Sequence, residues 1–314
     1  MANIKRKYSD FIVKEKLSIK PEKKGKYVLA LLKKQGTNTL DALEDISKKL
    51  KVSIDKIGRC GLKDKNAITY QYITIPKDKY KDIKTKNYAL RFIGYLNKSL
   101  SPKDLKSNYF EIIVRNLNSQ EKRNFEERKN IVLNFGFANY YGKQRFLAYK
   151  EKTFFIPDLE KGNIKKVFEK ILNNRKLKIK KWYCKILEAY KKENLNINLI
   201  PKSEIEMQYS ILYALEFNKK LSKLIKENYL KKAYLHSKIG KLYFPLEEKL
   251  KIPAFLELYD NFHKKYFKRQ TIVKPENFKY TYLDENTLKL YFELPKGAYA
   301  TTLLSFLFHA VKEK

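Results

Sequence analysis

Short runs of branched and aromatic residues occupy the first 115 residues of the chain, stop, and return near its C-terminal end. Turn-forming residues separate these runs, a pattern typical of β-strands. The sequence therefore predicts an early group of strands and a late hairpin. The predicted strands are residues 11–13, 27–32, 70–75, 90–95 and 109–115, followed by 278–283 and 288–294.

Helical periodicity lies between and after these strands. Apolar residues recur every three or four positions from Leu40 to Leu50, which predicts a helix that starts near Thr39. Asn118 followed by Glu121 resembles a capping box, so a second helix is expected from about residue 119. Further helices are predicted over residues 203–229 and, as an amphipathic helix, at the C-terminal end.

The middle of the chain differs in character from both ends. From about residue 160 to 268 the pattern is mostly helical and strongly basic, including the run Arg-Lys-Leu-Lys-Ile-Lys-Lys at residues 175–181. Strands before this region and a hairpin after it indicate one α+β domain interrupted by an insertion. We therefore expect a discontinuous domain of residues 1–160 and 268–314 and an inserted domain of residues 161–267.

The charge balance points to a polyanionic partner. The chain carries 69 Lys and Arg residues against 34 Asp and Glu residues, a formal net charge of +35. A field of that size favours binding to a polyanion. A codon bias would explain abundant lysine, but it does not by itself leave acids at half the number of bases. Nucleic acid is therefore preferred over a merely solubilising surface, and a membrane surface comes third.

Cysteine usage and hydropathy restrict the compartment. Two distant cysteines, Cys60 and Cys184, make neither a disulfide framework nor a zinc site, and a reduced compartment fits them. The first residues lead into no apolar core of signal-peptide length. The longest apolar stretch, residues 298–311, is too short and too interrupted to span a bilayer. We expect a soluble, cytoplasmic protein.

The segment Gly-Leu-Lys-Asp-Lys-Asn-Ala at residues 61–67 contains the strongest candidate for chemistry. The chain has three histidines and two cysteines and no evident glycine-rich phosphate loop, so few other catalytic groups are available. Gly61 permits a tight turn and close approach of a ligand, and Asp64 in such a turn can act as a nucleophile or a base. A solvated Lys-Asp turn is nevertheless the better explanation of the tetrapeptide taken alone.

Two further segments combine unusual residue types. Residues 136–146 place aromatics, amides and cations in one glycine-bounded stretch, a mixture suited to stacking on a splayed base while hydrogen-bonding its edge and its phosphate. An aromatic core strand followed by a polar turn remains the structural alternative. Residues 294–304 read as a strand end, a turn and a helix start, and this structural account suffices for them alone.

Taken together, in their order and separation, these segments resemble the TruD family of tRNA pseudouridine synthases. The family pattern Gly-x-Lys-Asp-x-x-Ala-x-Thr-x-Gln matches residues 61–71. The pattern Asn-Tyr-Phe-Gly-x-Gln-Arg-Phe matches residues 139–146, with Tyr141 at the Phe position, and Leu-Pro-x-Gly-(Ser/Ala)-(Phe/Tyr)-Ala-Thr matches residues 294–301. Supporting matches lie at residues 10–15 and 108–115.

The resemblance covers residues 8–146 and 269–307, and it departs from the family in places. Ser107 stands where the family has Gly, Tyr213-Ala214 replaces a polar pair, and the middle region is shorter. The resemblance implies an α+β fold of pseudouridine-synthase type, with a mixed, largely antiparallel sheet flanked by helices. It also implies that the inserted domain is mostly helical, specific to the family, and in contact with RNA.

The resemblance also implies an activity and a set of site residues. The activity is isomerisation of a uridine in tRNA, uridine-13 of the D-arm, to pseudouridine. Asp64 is the essential carboxylate, which either attacks the sugar or helps to remove a sugar proton. Tyr141 is the stacking candidate, Phe11 and Tyr299 are further pocket walls, and Asn139 is placed to hydrogen-bond the uracil edge. The reaction involves neither redox change nor net hydrolysis, so no cofactor and no metal are expected.

A cation beside Asp64 would keep the carboxylate charged in a dry pocket. Lys63 is adjacent in sequence and Arg145 lies in the second motif; of the two, Arg145 is favoured as the partner of Asp64. Both also belong to the expected substrate-binding set. The expected partner is tRNA, bound by a monomer, with no membrane contact.

Two other classes of protein compete with this interpretation. A non-catalytic RNA-binding protein or RNA chaperone would use the same basic, aromatic surface but has no role for the Asp64 loop. An RNA methyltransferase would need a glycine-rich strand–loop–helix for its methyl donor, and none is evident.

Overall fold

The computed structural model describes residues 1–146, 148, 152–174, 177–178, 181–237, 239–247 and 251–313. The strands are β1 (Ala2–Ile4), β2 (Phe11–Leu17), β3 (Tyr27–Gln35), β4 (Gly58–Arg59), β5 (Ile68–Pro76), β6 (Ile83–Lys84), β7 (Tyr88–Leu96), β8 (Leu105–Val114), β9 (Phe137–Ala138), β10 (Lys232–Ser237), β11 (Gly240–Pro245), β12 (Phe255–Asp260), β13 (Lys265–Gln270), β14 (Ile272–Val273), β15 (Glu276–Asp284), β16 (Thr287–Pro295) and β17 (Val311–Glu313). The helices are α1 (Thr39–Leu50), α2 (Ser119–Phe135), α3 (Ile156–Glu160), α4 (Ile164–Leu172), α5 (Lys181–Lys191), α6 (Lys202–Asn228) and α7 (Ala300–Phe308).

The chain forms two compact units, residues 1–137 with 273–314 and residues 138–272. The first unit is discontinuous in sequence. The compositional boundaries at residues 160 and 268 both fall inside the second unit. The basic run at residues 175–181 lies partly outside the described residues.

The first unit contains a nine-stranded sheet. Its strands follow the order β15-β16-β8-β2-β5-β3-β7-β6, and β4 pairs with β5 beside this path. Neighbouring strands are antiparallel except for β2 and β5, which run parallel with Ile12 opposite Ile68. The α+β fold with a mixed, largely antiparallel sheet that the sequence predicts is confirmed.

Side chains along β3 alternate between the two faces of the sheet, and those on one face pack against helix α1. Val28, Ala30 and Leu32 are buried in one cluster with Leu43 and Ile46 of α1. Because side chains alternate between the two faces of a strand, Lys34 lies on the same face as these apolar residues. The helical spacing of apolar residues after Thr39 thus corresponds to the helix face that covers the sheet.

Helix α2 begins at the capping box that the sequence indicates. The backbone N–H of Glu121 donates to Asn118 Oδ1 at 2.9 Å, and the backbone N–H of Asn118 donates to Glu121 Oε2 at 2.9 Å. Two of the helix's unpaired amide groups are satisfied in this way.

Helix α7 packs against α2. The rings of Phe125 and Phe308 stack with centroids 5.5 Å apart, and Arg128 donates to the carbonyl of Phe306 at 2.7 Å. The sequence predicts an amphipathic helix here, but α7 is buried at every position except Thr301. A short helix enclosed on more than one side has no solvent-facing stripe, so the amphipathic prediction was wrong for this element.

Strands β1 and β17 pair in parallel, with Ala2 opposite Val311 and Ile4 opposite Glu313. Asn3 and Arg115 also exchange two backbone hydrogen bonds, of 2.8 and 2.9 Å. These contacts fix the first residues of the chain between its last strand and the end of β8.

The second unit has a core formed by its helices, with buried residues that include Phe155, Phe168, Ile186 and Ile211. It also contains two hairpins, β10–β11 and β12–β13, in a region that the sequence predicts as mostly helical. Each of their strands has only six residues and mixes apolar residues with polar or charged ones, so no long apolar run marks them. Within the described part of the chain, no helix is long and apolar enough to cross a membrane.

Candidate active site

Asp64 lies in the loop that connects β4 to β5. These two strands pair antiparallel, with Gly58 opposite Thr74, so the chain reverses direction in the intervening loop. The Asp64 side chain is 29% exposed. It is therefore accessible from solvent while its backbone is held by neighbouring side chains.

A buried ammonium group pairs with Asp64. Lys5 Nζ donates to Asp64 Oδ2 at 2.8 Å and to Glu313 Oε2 at 2.8 Å. The Lys5 side chain is 2% exposed, and its ammonium lies 4.5 Å from the centroid of the Phe11 ring. Burial by itself lowers the pKa of Lys5, but the charges and hydrogen bonds of Asp64 and Glu313 outweigh it and raise that pKa above the ordinary lysine value.

Lys63 forms an ion pair with Glu15. Lys63 Nζ donates to Glu15 Oε1 at 2.5 Å, and the other carboxylate oxygen of Glu15 accepts from the backbone N–H of Tyr72 at 2.8 Å. The Glu15 side chain is fully buried. This pair joins the loop to β2 and β5 and so connects two of the sequence motifs. The role of Lys63 in binding substrate stays a prediction.

Lys34 reaches the loop from β3. Its ammonium donates to the carbonyl oxygens of Thr37 at 3.1 Å, Lys63 at 3.2 Å and Asp64 at 2.8 Å. Lys34 is 1% exposed. Burial, the largest influence, lowers the pKa of Lys34 to about 8, although the nearby charges of Asp64 and Asp41 act in the opposite direction.

Thr39, at the start of α1, holds the loop from a second direction. Its hydroxyl accepts from the backbone N–H of Lys63 at 3.0 Å and donates to Gln71 Oε1 at 3.0 Å. Gln71 and Thr69 are completely buried motif residues. Gln71 Nε2 and Thr69 Oγ1 have no hydrogen-bond partner among the described residues.

A further ion pair, between Arg115 and Asp10, fixes the strand that carries Phe11. Arg115 donates to both oxygens of Asp10, at 3.1 and 2.8 Å. Burial by itself raises the pKa of Asp10, but the hydrogen bonds from Arg115 and from the backbone of Lys7 outweigh it, so that pKa lies below the ordinary aspartate value. Phe11 itself is 2% exposed and meets Phe110 edge-on.

Within the second unit, Asn139 is buried and engaged at both ends of its amide. Its Nδ2 donates to the carbonyl of Gln270 at 2.9 Å, and its Oδ1 accepts from Arg269 at 3.0 Å. An asparagine amide has two N–H groups and two lone pairs. One donor and one acceptor position are therefore used by these protein contacts.

Tyr141 is held by Asn218 on helix α6. The backbone N–H of Tyr141 donates to Asn218 Oδ1 at 2.9 Å, and Asn218 Nδ2 donates to the Tyr141 carbonyl at 3.1 Å. The guanidinium of Arg269 lies 3.8 Å from the centroid of the Tyr141 ring, and Phe217 meets that ring edge-on. These contacts fix the orientation of the ring.

The remaining predicted site residues lie in local turns. Arg145 belongs to a single helical turn, Lys143–Phe146, and its Nε is buried without a hydrogen-bond partner in the described part of the chain. Tyr299 precedes α7 and is half-buried. Gly297, before it, has φ of 84°, which favours glycine.

Cys60 immediately precedes the loop and is the other nucleophilic side chain close to it in sequence. It is 5% exposed. Burial, and after it the charge of Glu15, raises the pKa of Cys60 to about 12. A thiol with that pKa stays protonated near neutral pH, so Asp64 is the stronger candidate for chemistry.

The sequence interpretation found the loop but missed most of what holds it. Lys5, Lys34 and Thr39 were not singled out, and Arg269 was not connected with the second motif. For Lys34 a signal exists, since it continues the buried alternation of Val28 and Leu32. Lys5 gives no local signal because its partners are 59 and 308 residues away.

These features define an α+β protein with a mixed sheet, in which buried lysines hold a loop that carries a carboxylate. A family model described as tRNA pseudouridine synthase D (TruD) matches residues 1–233. The chain belongs to the TruD family.

Individual relatives agree with this membership. The chain is 39% identical over 160 residues to tRNA pseudouridine synthase D of Aquifex aeolicus, covering 49% of this chain and 41% of that protein. It is 30% identical over 296 residues to tRNA pseudouridine synthase D of Leptospira interrogans, covering 81% and 71%. Several alignments cover 35–58% of the relative, so the chain spans about half the length of these curated relatives.

The structure also resembles a solved one. It matches the crystal structure of a Methanosarcina mazei protein named as TruD with a TM-score of 0.59, at 20% identity, over 99% of this chain and 94% of that one. At this identity the match shows a shared fold.

Proposed function

We propose that the protein is a tRNA pseudouridine synthase that isomerises uridine to pseudouridine, with Asp64 as its essential carboxylate and without a cofactor. By resemblance to the family, the target is uridine-13 of the tRNA D-arm. The observation that carries the proposal is the direct pairing of the partly exposed Asp64 carboxylate with the buried ammonium of Lys5.

The chemistry requires a positioned carboxylate and no external reactant. The N1–C1′ bond of the uridine breaks, the base turns, and C5 bonds to C1′; the proton lost from C5 is balanced by one gained at N1. Asp64 either attacks the sugar or accepts a sugar proton. Among described residues, Lys5 is the side chain that hydrogen-bonds the Asp64 carboxylate, through Oδ2, which leaves Oδ1 for either role.

The proposal assigns the target base to an aromatic slot. A uridine must leave its stack before its glycosidic bond can be reached, and stacking on an aromatic side chain offsets about 1–3 kcal/mol of that cost per base. Tyr141 is the proposed stacking residue, with Phe11 and Tyr299 as walls. Asn139 is proposed to use its remaining amide positions on the uracil edge.

RNA contacts away from the base are proposed for the second unit. One groove of that unit is lined by four lysines, with Glu227 as its acidic residue. The lysines are Lys219, Lys223, Lys226 and Lys241. Together with the net charge of +35, this supports tRNA as the partner, with Arg145 and Lys63 as further candidates for substrate contact.

The test compares the wild-type protein with Asp64→Asn on an unmodified tRNA transcript. Chemical labelling followed by primer extension detects pseudouridine and locates it. We expect wild-type protein to modify uridine-13 and Asp64→Asn to lose turnover while it keeps its affinity for tRNA. Binding without any pseudouridine from the wild-type protein would instead support a non-catalytic RNA-binding protein, and residual turnover by pure Asp64→Asn would remove Asp64 from its role.

A further inference from the structure

Lys34 is a buried cation whose hydrogen bonds all go to backbone. It lies on the inward face of β3, in line with Ala30 and Leu32, and is 1% exposed. Moving an ammonium group out of water carries a penalty of several kcal/mol unless the protein compensates it. A methionine or leucine would continue the apolar alternation of this strand without that penalty, so the presence of lysine calls for an explanation.

The compensation comes from the Asp64 loop. An ammonium group has three N–H donors, and those of Lys34 meet three carbonyl oxygens, those of Thr37, Lys63 and Asp64. None of these acceptors is a carboxylate. The shortest hydrogen bond, 2.8 Å, goes to the carbonyl of Asp64 itself.

Lys34 and Thr39 together fix both sides of Lys63. Thr39 accepts from the backbone N–H of Lys63, and Lys34 donates to its carbonyl. The peptide groups directly before and after Asp64 are therefore anchored to the end of β3 and the start of α1. The direction of the Asp64 side chain towards Lys5 depends on these peptide groups, because the backbone sets where the Cβ points.

We propose that Lys34 is a positioning residue of this site, which holds the Asp64 loop through its carbonyl oxygens so that the carboxylate meets the uridine. This inference rests on the proposed function. Lys34 acts through the backbone of Asp64 and does not touch the reacting atoms. A loop displaced by about 1 Å is enough to slow a positioned reaction by about 100-fold.

Deprotonation of Lys34 should lower activity above neutral pH. The charged groups around the Lys34 ammonium are Asp64 and Lys63 on the loop and Asp41 on α1. Burial lowers the pKa of Lys34 to about 8, and deprotonation leaves two donors for three carbonyls. Turnover should therefore fall as the pH rises through about 8. The pKa of Lys5 is raised, so the direct partner of Asp64 keeps its proton through this range.

Stability should change in the opposite direction over the same range. Since the folded pKa of Lys34 is below its unfolded value, the unfolded chain binds more protons between the two values, and stability rises with pH there. A general alkaline loss of structure would lower activity and stability together. If activity falls while the contribution of Lys34 to stability rises, the loss of activity is not caused by denaturation.

The experiment uses the full chain with three variants and measures single-turnover pseudouridine formation from pH 6 to 9.5, tRNA affinity and thermal melting. Lys34→Met removes the ammonium, Lys34→Arg keeps a charge that does not titrate in this range, and Lys33→Met is the matched control. Lys33 is exposed, and its ammonium lies 5.5 Å from the Tyr70 ring.

We expect Lys34→Met to lower the single-turnover rate about 10- to 100-fold and to lose the alkaline fall near pH 8, with tRNA affinity within about twofold. Lys34→Arg should also lose that fall, and Lys33→Met should behave as wild type. A folded Lys34→Met with the wild-type rate and pH profile overturns the proposal. If Lys34→Met does not fold, the pH profile of the wild-type protein tests the proposal instead. A wild-type activity that stays constant between pH 7 and 9 overturns the proposed role of Lys34. Absence of pseudouridine with wild-type protein overturns the proposed function itself.

Discussion

Lys5 Nζ lies 2.8 Å from Asp64 Oδ2, across 59 residues of sequence. The same ammonium lies 2.8 Å from Glu313 Oε2. Because Lys5 is almost fully buried, its charge acts on these two carboxylates with little screening by water. From the sequence, Arg145 was favoured as the cation for Asp64. The structure gives Asp64 a direct partner in Lys5, and an additional contribution from Arg145 stays a prediction.

Removing the Lys5 charge should therefore slow the proposed reaction. We expect Lys5→Met to lower single-turnover pseudouridine formation by about 100-fold, the size typical for loss of one preorganised electrostatic partner. Arg6, next in sequence and exposed, provides the control Arg6→Met. Comparison with Arg145→Met shows which of the two cations, Lys5 or Arg145, contributes more to the single-turnover rate. A Lys5→Met protein with the wild-type rate would show that the pairing of Lys5 with Asp64 has no catalytic role.

The pair between Asp10 and Arg115 should make stability depend on acid pH. Because the folded pKa of Asp10 is lowered, its stabilisation is present above the unfolded value, about 3.9, and is lost as the pH falls through the folded pKa. We expect Asp10→Asn to lower the free energy of unfolding by about 3 kcal/mol at pH 7, and much less near pH 2, in urea denaturation. Asp78→Asn, at an exposed position, is the control; a difference from wild type that stays constant with pH contradicts the assignment.

Gly61 tests how closely a ligand approaches the loop. Its backbone is not in the left-handed region, and a Cβ added there would meet no heavy atom within 4 Å. Gly61→Ala should therefore melt like wild type, whereas turnover should fall about 10-fold if RNA passes against this backbone. Gly297→Ala is the contrast: with φ of 84°, it should cost about 1–2 kcal/mol of stability. Unchanged turnover in Gly61→Ala would separate this glycine from substrate binding.

If Tyr141 stacks on the target base as proposed, its ring should matter for turnover and its hydroxyl should not. Tyr141→Phe should keep the single-turnover rate within about twofold, while Tyr141→Leu should lose about 10- to 100-fold, the equivalent of 1–3 kcal/mol of base stacking. Because Asn218 holds the backbone of Tyr141, both variants should keep the local fold. A Tyr141→Leu protein as fast as Tyr141→Phe would exclude stacking on this ring.

The lysine groove of the second unit should determine the salt dependence of tRNA binding. Each phosphate contact contributes roughly 0.7–0.9 to the slope of log affinity against log salt, so replacing the four lysines with glutamine should reduce that slope by up to about 3. A control with equal charge change replaces four exposed lysines that follow β2. These control positions are Lys20, Lys23, Lys24 and Lys26. Equal slopes for the two quadruple variants would show that the groove is not a specific phosphate site.

The longer strands of the nine-stranded sheet and helices α1 and α2 were predictable because each depends on local patterns. The capping box of Asn118 and Glu121 and the apolar spacing after Thr39 are contained within a few turns of chain. The two hairpins between residues 232 and 270 were missed because each strand has only six residues and mixes apolar residues with polar or charged ones, in a region whose basic composition favoured helices.

The surroundings of Asp64 were less predictable because they depend on long-range contacts. Glu15, Lys34 and Lys5 meet the loop from three different strands or their ends. The motif identified Asp64 and Lys63 but gave no indication that Glu15 is the partner of Lys63. Gly61 is the opposite case, in which the sequence suggests more than the structure contains. A glycine in this turn suggests a backbone conformation that other residues avoid, but Gly61 does not have a positive φ.

The parallel pairing of β1 with β17 has a consequence for biosynthesis. Residue 313 is synthesised 308 residues after residue 5, so the Lys5 ammonium lacks its second carboxylate until β17 has been made. During synthesis, or in a chain cut before residue 311, the Asp64 loop would be present without the strand that brings Glu313 to this lysine. We therefore expect Lys5 and Asp64 to reach their paired arrangement only after β17 has joined β1.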